Sequence, residues 1–546
     1  MKADITGRHE APETTVRRAR NGRAGRQTPA IITAGSPIKP KNDEILILPL
    51  GGCGAIGMNM TLYGHDGKWL IVDAGVAFVD QKLHPGVNAV MADPEFIEER
   101  LQDVVGLVVT HAHEDHIGAI HHLWPRIDCP IYATPFAATL LRGRFRETRK
   151  LDWVTLREME IGGETRIGPF TVGAIEVTHS IPEPMALSIR TKAGTVLHTG
   201  DFKFDDDPQI GNGPDRAALR RLGDKGVLAM VCDSTNALTE GRSGSEASAR
   251  DGLRAAIASR KGMVAIACFA SNVARLKSIA QAAKATGRKV VLSGRSLWRM
   301  EEAARANGLL KGVPGFLNDE DAKRLKRSEI LLVCTGTQGE ERSAMSRLAH
   351  GAHRTLDIQH GDTVIFSARE IPGNEQEIAE VQDHLRRRGA EIVTPKEAPV
   401  HVSGHPKRDE LREMYALVRP KIAIPVHGTP ELMKVHGALA RASGARQAWI
   451  PHDGLMMRIA DGRIGTMGIM ETALLADSDK GLVPWPKALM APKTAPSPDA
   501  GRTEDAGTVV AGTKAAPKKA SRNRRRSAAR RRGRSDERAA SASARA

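Results

Sequence analysis

The chain has 546 residues, of which 41% are hydrophobic and 3% aromatic, and its formal net charge is +16 at pH 7. This length predicts about two to four domains with buried cores, and the scarcity of aromatic residues excludes a large surface for stacking nucleic-acid bases. No apolar run is long enough to span a bilayer and the N-terminus lacks an apolar signal segment, so we expect neither a transmembrane helix nor secretion.

The positive charge lies at the two ends of the chain. Residues 1–42 contain nine Lys or Arg and three Asp or Glu, residues 501–546 contain fourteen and four, and residues 43–500 are close to neutral. Stretches such as SRNRRRSAARRRGR cannot build a core, so we predict a disordered basic extension over 1–42 and a disordered basic tail over 487–546. Such tails are typical of proteins that hold nucleic-acid phosphates; the alternative is a solubilising role.

The cysteines are odd in number, are not arranged as CxxC pairs, and several lie in apolar runs. We therefore predict buried free thiols and a reducing, cytoplasmic environment rather than a disulfide framework. The five positions are Cys53, Cys129, Cys232, Cys268 and Cys334.

Short apolar runs that end in a glycine or polar turn predict buried strands in the first half of the chain. Helical periodicity separates some of them, at PEFIEERL and PFAATLLRGRF, and this alternation predicts a layered α/β fold. The predicted strands are ILILPL (45–50), KWLIVDAG (68–75), VVGLVVTH (104–111), FTVGAIEVTHS (170–180) and GTVLHTGDF (194–202).

From about residue 250 the strand and helix pattern becomes regular and predicts a second α/β unit of roughly 150 residues. A further strand, IAIPVHG (422–428), follows it and ends in a histidine. The elements of the second unit are predicted strands at 264–270, 289–294, 329–336, 362–368 and 390–395 and helices at 273–287 and 375–389.

The stretch THAHEDHIG (110–118) carries a concentrated set of metal ligands. His111 and His113 are two positions apart at the end of a predicted strand and should project to the same side, and Asp115 and His116 can turn towards the same point. Imidazole and carboxylate groups bind zinc or similar divalent ions. Four ligands within six residues exceed what one open site needs, which indicates two ions.

Further ligands are expected at the tips of other strands. His179, Asp201 and His427 each follow an apolar run. For any one of these residues alone, a hydrogen-bonded side chain at a strand end is an equally good interpretation. Together with HAHEDH, the set favours a dinuclear metal site.

HxHxDH followed by a single His, an Asp after a strand and a late His resembles the metallo-β-lactamase superfamily. The resemblance implies a four-layer αββα sandwich with two metal ions at one edge. It further implies that Asp73, in LIVDAG, supports the site from outside the ligand shell. The implied ligands are His111, His113 and His179 for one ion and Asp115, His116 and His427 for the other, with Asp201 bridging.

The α/β unit inserted between Asp233 and His401, and the motif HVSGH that closes it, resemble the β-CASP branch of this superfamily, which acts on nucleic acids. In that branch Asp233 of VCDSTNA matches a catalytic acid. His405 matches the histidine that helps to protonate the leaving group. We therefore expect an αββα sandwich with an inserted β-CASP domain and basic disordered tails.

An ordered series of motifs over roughly residues 45–455 is similar to bacterial ribonuclease J. The motifs are LPLGG, GMN, VTHAHEDHIGA, HSIPE, HTGDFKFD, CDSTNA, FASNVARL, CTGTQGE, IPGNE, HVSGHP and PVHG. The family resemblance implies a cytoplasmic ribonuclease of RNA processing and decay that degrades single-stranded RNA from a 5′-monophosphate end and also cuts internally. A hydroxide activated by two zinc ions, with manganese as the alternative metal, would leave 5′-phosphates.

Two segments are expected to hold the substrate. Glycine, hydroxyl and backbone N–H groups of HVSGH can present donors to a phosphate, and FASNVAR places further donors where a strand meets a helix. The alternative for Ser271 is a helix N-cap, and for Ser403 a plain turn residue. The residues expected to bind substrate are Ser271, Asn272, His401, Val402, Ser403, Gly404 and His405.

The expected domains are a first metallo-β-lactamase part over 43–240, a β-CASP domain over 241–395, and a second metallo-β-lactamase part with a C-terminal remnant over 396–486. The sequence departs from the ribonuclease J pattern at Ala55 and Thr429, where the family commonly has glutamate. A further C-terminal domain that family members use for dimerisation is expected to be absent or replaced, which leaves a homodimer or tetramer open. The basic tails are expected to contact RNA or the ribosome.

Two other functions fit the sequence less well. One is a β-CASP nuclease that acts on DNA, because readout of the 2′-hydroxyl cannot be seen in a sequence. The other is a non-catalytic RNA-binding scaffold with a structural metal, which the complete ligand set disfavours. Among the remaining histidines, His121 and His122 are expected at the surface of the helix after the metal-binding loop, and Glu114 has no assigned role.

Overall fold

A computed structural model of the chain describes residues 30–80 and 82–490. Twenty-five strands are found in this part of the chain, and most of the predicted strands occur within one to three residues of their expected bounds. The strands are β1 (Ile31–Ile32), β2 (Glu44–Gly51), β3 (Met60–His65), β4 (Lys68–Val72), β5 (Val76–Ala77), β6 (Val87–Ala92), β7 (Val104–Val108), β8 (Ile131–Ala133), β9 (Leu156–Glu158), β10 (Glu164–Ile167), β11 (Phe170–Glu176), β12 (Met185–Thr191), β13 (Gly194–His198), β14 (Ala229–Asp233), β15 (Val264–Ala267), β16 (Lys289–Ser293), β17 (Ile330–Cys334), β18 (Thr363–Phe366), β19 (Glu391–Val393), β20 (Ile422–Val426), β21 (Gln447–Ala448), β22 (Leu455–Ala460), β23 (Arg463–Met470), β24 (Leu474–Ser478) and β25 (Gly481–Trp485).

Thirteen α-helices accompany these strands in the described residues. They are α1 (Glu95–Glu98), α2 (Glu114–Ile117), α3 (Ile120–Ile127), α4 (Pro135–Glu147), α5 (Arg216–Lys225), α6 (Glu246–Ala258), α7 (Val273–Ala285), α8 (Arg295–Ala306), α9 (Asp319–Ala322), α10 (Ala344–Ala349), α11 (Glu375–Arg387), α12 (Arg408–Val418) and α13 (Pro430–Ala442). No helix within residues 30–80 and 82–490 combines the length and apolar character that crossing a bilayer requires.

Two large sheets pack face to face in the centre of the fold. One has nine strands in the order β1-β23-β22-β2-β3-β4-β7-β8-β9, and the other has seven in the order β10-β11-β12-β13-β14-β20-β21. Their facing sides share one apolar core, in which Ile47 and Val108 of the first sheet meet Leu187 and Ile424 of the second. Burial of these side chains on both inner faces is the main force that joins the two sheets.

Helices cover the outer face of each large sheet. Phe96 of α1, Leu123 of α3 and Phe136 of α4 pack against the nine-stranded sheet. On the other side, α5, α12 and α13 bury apolar residues such as Leu411 and Leu439 against the seven-stranded sheet. The order helix, sheet, sheet, helix confirms the predicted αββα sandwich.

The inserted segment forms a five-stranded, all-parallel sheet in the order β16-β17-β15-β18-β19. Helices α6, α7 and α8 bury Leu253 and Ile279 on one face, and α10 and α11 bury Leu348 and Leu385 on the other. Parallel sheets require cover on both faces, which explains why these strands are apolar without alternation. This is the second α/β unit that the sequence predicts.

Three features differ from expectation. Residues 30–42, which were expected to be disordered, include strand β1, and this strand pairs in parallel with β23. A 3₁₀ turn occupies Lys487–Met490, at the start of the expected disordered tail. The strands β22–β25 were not predicted, since β23 alternates poorly and contains two glycines. The predicted disorder of residues 1–29 and 491–546 lies outside the described residues.

The fold brings several strand ends to one edge. Strands β4 and β7 are parallel neighbours in one large sheet, and β13, β14 and β20 are parallel neighbours in the other. The ends of neighbouring parallel strands lie at the same edge of a sheet, so residues that follow them gather there. All seven expected metal ligands follow such strands or the strand β11.

The prediction of buried free thiols is confirmed, because all five cysteines are free and buried. Burial raises the pKa of the Cys268 thiol to about 12 and that of Cys129 to about 12, so both remain protonated at neutral pH. Thiols in this state are poor nucleophiles and poor ligands, which fits a packing role.

Candidate metal centre

The structure brings together the seven side chains that the sequence predicts as ligands. His111 and His113 lie in the extended segment after β7, although that strand ends earlier than predicted, at Val108. Helix α2 begins directly after His113 and carries Asp115 and His116 on its first turn. The remaining three follow strands of the other large sheet: His179 after β11, Asp201 after β13 and His427 after β20.

The first group of ligand atoms comprises three imidazoles and one carboxylate. His113 Nδ1 lies 3.1 Å from His111 Nε2 and 3.0 Å from His179 Nε2. Asp201 Oδ2 lies 3.7 Å from His111 Nε2 and 3.8 Å from His179 Nε2. Ligands about 2.0–2.1 Å from a tetrahedral zinc ion are separated by about 3.3 Å, so these spacings suit one such ion.

The second group shares Asp201 with the first. Asp201 Oδ2 lies 3.2 Å from His116 Nε2 and 3.6 Å from His427 Nε2. Asp115 Oδ2 lies 3.6 Å and 3.7 Å from the same two nitrogens. One carboxylate oxygen therefore belongs to both groups, which is the arrangement that a bridging ligand between two cations requires.

Hydrogen bonds orient the histidines of both groups. His116 Nδ1 lies 2.8 Å from Asp73 Oδ2, and Asp73 Oδ1 accepts from the backbone N–H of Thr110. His179 Nδ1 donates to the backbone oxygen of Gly404 at 2.6 Å. Each contact occupies one ring nitrogen and directs the other to the centre, which is how metal-binding histidines are usually held. The carboxylate of Asp73 thus occupies the supporting position that the sequence predicts for it.

Backbone conformation at two of these positions is unusual. Asp73 has φ 61° and His427 has φ 53°, a left-handed region that residues other than glycine seldom adopt. Both are fixed by backbone hydrogen bonds, from Asp73 N to Val108 O and from His427 N to Gly52 O. Strain of this kind persists where the surrounding structure determines it and is frequent at functional sites.

The electrostatics favour neutral imidazoles in the first group. Burial lowers the pKa of His113 to about 4, and burial together with neighbouring histidines lowers the pKa of His111 and of His179 well below the usual range. The pKa of His116 changes in the opposite direction. Burial lowers it, but the carboxylates of Asp201, Asp115 and Asp73 raise it by more, so that it stands well above the usual histidine range. Metal ions bind the neutral ring, so the first group is already in its binding form at neutral pH.

The residues present fit a pair of divalent cations. His427 Nε2 is buried and has no hydrogen-bond partner among the described residues, although it points at Asp115 and Asp201. A buried polar atom without a partner is uncommon and calls for a ligand. Six imidazole nitrogens and carboxylate oxygens surround the shared Asp201 oxygen. They form two groups of three, and each group together with Asp201 is a ligand set of the kind that binds zinc and related metals.

His405 lies beside the shared carboxylate but is held by a different acid. Its Nδ1 is 2.9 Å from Asp233 Oδ2, and Asp233 Oδ1 accepts from the backbone N–H and the hydroxyl of Thr235. Burial lowers the pKa of His405, but Asp233 and Asp201 raise it more, and the pKa stands at about 9. The ring is therefore a proton donor at neutral pH, and cations bound nearby would bring its pKa down.

The expected substrate-binding residues divide into two kinds. Segment 401–405 lies against the centre: Gly404 contacts His179, and Ser403 Oγ accepts from Asn236 Nδ2 at 2.9 Å. His401 and Val402 are half-buried beside it. Burial and the charge of Arg275 lower the pKa of His401 well below the usual range, so its ring is neutral at neutral pH.

Ser271 and Asn272 do lie where a strand meets a helix, but they face in different directions. Ser271 Oγ is 3.1 Å from His113 Nε2, so this hydroxyl contacts one of the predicted ligands. Asn272, not Ser271, is the N-cap of α7: its Oδ1 accepts from Arg275 N at 2.8 Å. Asn272 is buried, and one of the two N–H donors of its Nδ2 group is directed at Glu246 Oε1 at 3.3 Å. A contact of Asn272 with substrate stays a prediction.

Two residues near THAHEDHIG gain a structural explanation. The Glu114 carboxylate is hydrogen-bonded to the guanidinium of Arg144 on α4, so it anchors helix α2 and does not enter the centre. His121 was predicted at the surface, and that prediction is wrong: the ring is 8% exposed within α3, while His122 is half-buried. Burial and the charge of His122 lower the pKa of His121 to about 3, which keeps it neutral.

Asn59 contacts the centre but was not among the site residues predicted from the sequence. Its Oδ1 accepts from His427 Nδ1 at 2.8 Å, and its Nδ2 donates to the backbone oxygen of Asp115 at 3.0 Å. It thus orients one ligand of the second group and positions the segment that carries another. The motif GMN was noted only for its family resemblance, and the 368 residues between Asn59 and His427 conceal the contact.

We predict that Asn59→Ala lowers the affinity of the protein for divalent metal by about 10–100-fold, because the ring of His427 loses the acceptor that fixes its orientation. Isothermal titration of metal-free protein with zinc measures this directly. Asn88→Ala is the matched control. It removes an exposed amide that donates to Asp477 Oδ2 at 3.1 Å, so it should leave the affinity unchanged. An Asn59→Ala protein with wild-type affinity would show that this contact does not position the ligand.

Comparisons with known proteins give a consistent result. Three family models match: the metallo-β-lactamase superfamily over residues 54–248, the ribonuclease J β-CASP domain over 261–385, and the RNA specificity domain of Zn-dependent metallo-hydrolases over 397–451. Ribonuclease J of Sinorhizobium meliloti is 43% identical over 77% of this chain and 75% of its own length.

Two further relatives and one solved structure extend the comparison. Ribonuclease J of Mycobacterium tuberculosis H37Rv is 40% identical over 77% of this chain and 76% of its own length, and ribonuclease J2 of Bacillus subtilis is 33% identical over 75% and 74%. The crystal structure of a protein of unknown function from Enterococcus faecalis V583 superposes with a TM-score of 0.53 at 16% identity, covering 76% of this chain and 100% of that one. That last match concerns the fold alone.

Proposed function

The chain belongs to the ribonuclease J family, and from this premise we propose that it is a zinc-dependent ribonuclease that degrades single-stranded RNA from the 5′ end and also cuts internally. Its place would be the cytoplasm, in ribosomal RNA processing and messenger RNA decay. The observation that carries the proposal is the single oxygen of Asp201 that belongs to two ligand groups, with His405 beside it. A two-cation centre with an adjacent proton donor suits cleavage of a phosphodiester.

The chain's own residues divide the work at this centre. His111, His113 and His179 would hold one zinc ion, Asp115, His116 and His427 the other, and Asp201 both; manganese is the alternative metal. Bound cations supply a nucleophile derived from water at neutral pH and stabilise charge on the attacking and leaving oxygens. His405, oriented by Asp233, would donate its proton to the departing 3′-oxygen, so that the downstream product keeps a 5′-phosphate.

Segment 401–404 is suited to hold a phosphate of the substrate. Among the described residues, no acceptor is found for the backbone N–H groups of Val402, Ser403 and Gly404, although this segment is half-buried to buried. Backbone N–H groups that are both shielded from solvent and unpaired are rare in proteins, and successive free N–H groups form anion-binding concavities. We therefore assign this segment to the phosphate next to the bond that is cut.

The proposal is tested by incubating the full chain, loaded with zinc or with manganese, with end-labelled 5′-monophosphorylated RNA and with single-stranded DNA of the same sequence. We expect RNA to be degraded and DNA to be spared. His113→Ala should abolish degradation together with metal binding. Equal turnover of DNA would contradict an RNA-specific nuclease, and an active His113→Ala protein without bound metal would contradict the catalytic role of the centre.

We predict that deleting residues 501–546 weakens RNA binding and flattens its dependence on salt concentration. The deletion removes fourteen basic and four acidic residues, and each basic residue that neutralises a phosphate steepens the salt dependence. Filter binding of RNA to an active-site variant at several salt concentrations gives the slope. An identical slope for the full and shortened chains would mean that the tail does not touch RNA.

A further inference from the structure

A surface group of three potential metal ligands lies in the inserted unit. His350 is the residue at which α10 ends, and Glu380 and His384 lie on α11. One ligand atom of each side chain lies within 4.8 Å of the others. The rings of the two histidines are adjacent, with their centroids 4.3 Å apart. Two imidazoles and one carboxylate form a ligand set of the kind that binds zinc.

The spacing of Glu380 and His384 directs both side chains to one face of α11. Residues four apart lie one above the other on a helix. The two histidines of helical HExxH zinc sites use the same spacing. Helices α10 and α11 pack together, and Leu348 of one and Val381 of the other belong to the same apolar core. Buried side chains therefore fix the position of His350 relative to α11.

The ring of His350 is already oriented as a ligand. Its Nδ1 donates to the backbone oxygen of Ser346 at 2.8 Å. This contact needs a proton on Nδ1, and in the neutral ring it leaves the lone pair on Nε2. A backbone carbonyl that holds one ring nitrogen is a common support for a metal-binding histidine. In the candidate metal centre the backbone oxygen of Gly404 holds His179 in the same way.

The other two side chains have no competing partner. Within residues 30–80 and 82–490, neither the Glu380 carboxylate nor the His384 ring forms a hydrogen bond, and Glu380 forms no ion pair. Glu380 and His350 are exposed, and His384 is half-buried. The ligands of a tetrahedral zinc ion are about 3.3 Å apart, so the side chains must rotate to bring these atoms closer. Because Glu380 and His384 break no contact when they rotate, the main cost is side-chain entropy.

The composition and surroundings of the group favour a transition metal. The guanidinium of Arg388 lies against Gly351, next to His350, and its charge disfavours ions that bind by charge alone. Magnesium and calcium ions depend on several oxygen ligands, and only one carboxylate is offered here. Zinc, copper and nickel bind imidazole nitrogens well. The group is therefore suited to zinc or a similar metal rather than to magnesium or calcium.

The group lies at the opposite edge of the inserted sheet from the candidate metal centre. The inserted unit meets that centre through Ser271, which follows β15 and contacts His113. Helix α11 leads away from this edge and ends near the start of β18, where the N–H of Gly361 donates to Gly389 O at 3.3 Å. His384 is in the last turn of α11. A metal bound here would therefore not take part in RNA cleavage.

We propose that His350, Glu380 and His384 form a further metal site, which binds one zinc ion and thereby joins the end of α10 to α11. Three protein ligands leave one position of a tetrahedral ion for water. Since the complete ligand set exists only when both helices are in place, bound zinc stabilises the inserted unit by mass action. The inference does not depend on the proposed ribonuclease function, because none of the three residues takes part in that reaction.

Equilibrium dialysis of the full chain and of His384→Ala against zinc, followed by metal analysis of the protein, tests the site. We expect the variant to bind one zinc ion fewer per chain, because loss of a ligand should cost more than the about 10–100-fold in affinity that loss of a supporting contact costs. Glu380→Gln keeps the shape of an exposed side chain and should also weaken zinc binding. His360→Ala, which removes an exposed histidine of the same unit outside the group, is the matched control and should bind as much zinc as the full chain.

Thermal unfolding of the same proteins gives a second readout. Excess zinc should raise the unfolding temperature of the full chain by at least about 2 °C more than that of His384→Ala, because only the full chain gains the stabilisation from this site. RNA cleavage by zinc-loaded His384→Ala should equal that of the full chain. Equal zinc contents in the full chain, His384→Ala and Glu380→Gln would overturn the proposal, and so would an equal zinc deficit in His360→Ala.

Discussion

His405→Ala is expected to lower kcat for RNA cleavage by about 10²–10⁴-fold while leaving RNA affinity within a few-fold of the unchanged protein. The ring lies 2.9 Å from Asp233 and 3.8 Å from Asp201, and it is not among the nitrogens that suit the two cations best. Its loss removes the proton that the departing 3′-oxygen needs but leaves the metal ligands and the N–H groups of 402–404 in place. The defect should therefore appear in the chemical step.

Single-turnover cleavage of 5′-monophosphorylated RNA and a binding isotherm on the same variant separate these effects, with bound metal measured in both proteins. His452→Ala, an exposed histidine whose Nδ1 contacts the neighbouring backbone, is the matched control. A loss of RNA affinity with an unchanged kcat would assign His405 to binding rather than to proton transfer.

The same residue should govern the alkaline side of the pH profile. In the proposed reaction His405 acts in its protonated form. Asp233 and Asp201 raise its pKa above the usual histidine value although burial lowers it, and cations bound beside it would lower it again. Activity should therefore decline as the pH rises through the pKa that His405 has in the metal-loaded protein. In His405→Ala this alkaline decline should be missing, because the group that titrates has been removed.

Arg275→Met is expected to destabilise the protein by about 3–5 kcal/mol, because it leaves a buried carboxylate without its partner. The side chains of Arg275 and Glu246 are 1% and 2% exposed, and they are joined by hydrogen bonds of 3.1 and 2.9 Å. The guanidinium also donates to Ser367 O at 3.1 Å and to Val400 O at 3.2 Å. It thus ties helix α6, the loop after β18 and the residue before segment 401–404 to α7.

Urea denaturation of Arg275→Met, of Arg254→Met and of the double variant Arg275→Met/Glu246→Leu measures this effect. Arg254 lies exposed on α6, so its replacement should change stability by less than about 0.5 kcal/mol. The double variant should recover part of the loss, since no charge is then buried alone. A change below about 1 kcal/mol in Arg275→Met would show that the ion pair is not needed to join these elements.

The sequence predicts those residues of the centre that lie close together in the chain or directly after a strand. His111, His113, Asp115 and His116 lie within six residues, and His179, Asp201 and His427 each follow an apolar run that forms a strand. Because neighbouring parallel strands bring the residues that follow them to one edge of a sheet, the sequence alone predicts that these side chains converge. The αββα sandwich and the inserted parallel sheet follow from the same alternation of strands and helices.

The contacts that hold the ligands could not be predicted in this way. Asn59 meets His427 across 368 residues, and Arg275 meets Ser367 and Val400 across 92 and 125 residues. No periodicity marks such pairs, because they depend on how elements pack rather than on what each element is. Glu114 is similar, since its partner Arg144 is on a different helix. The burial of His121 was not predicted, because helix α3 is too short for its sequence to show which side faces the core.

The most direct measurement of the central claim is cleavage of a 5′-monophosphorylated RNA in water enriched in ¹⁸O, with the products analysed by mass spectrometry. A two-cation hydrolysis in which His405 protonates the 3′-oxygen predicts one ¹⁸O atom in the 5′-phosphate of the downstream product and a 3′-hydroxyl on the released nucleotide. A 2′,3′-cyclic phosphate, or ¹⁸O in a 3′-phosphate, would contradict it, because either product requires the bond to break on the other side of the phosphorus.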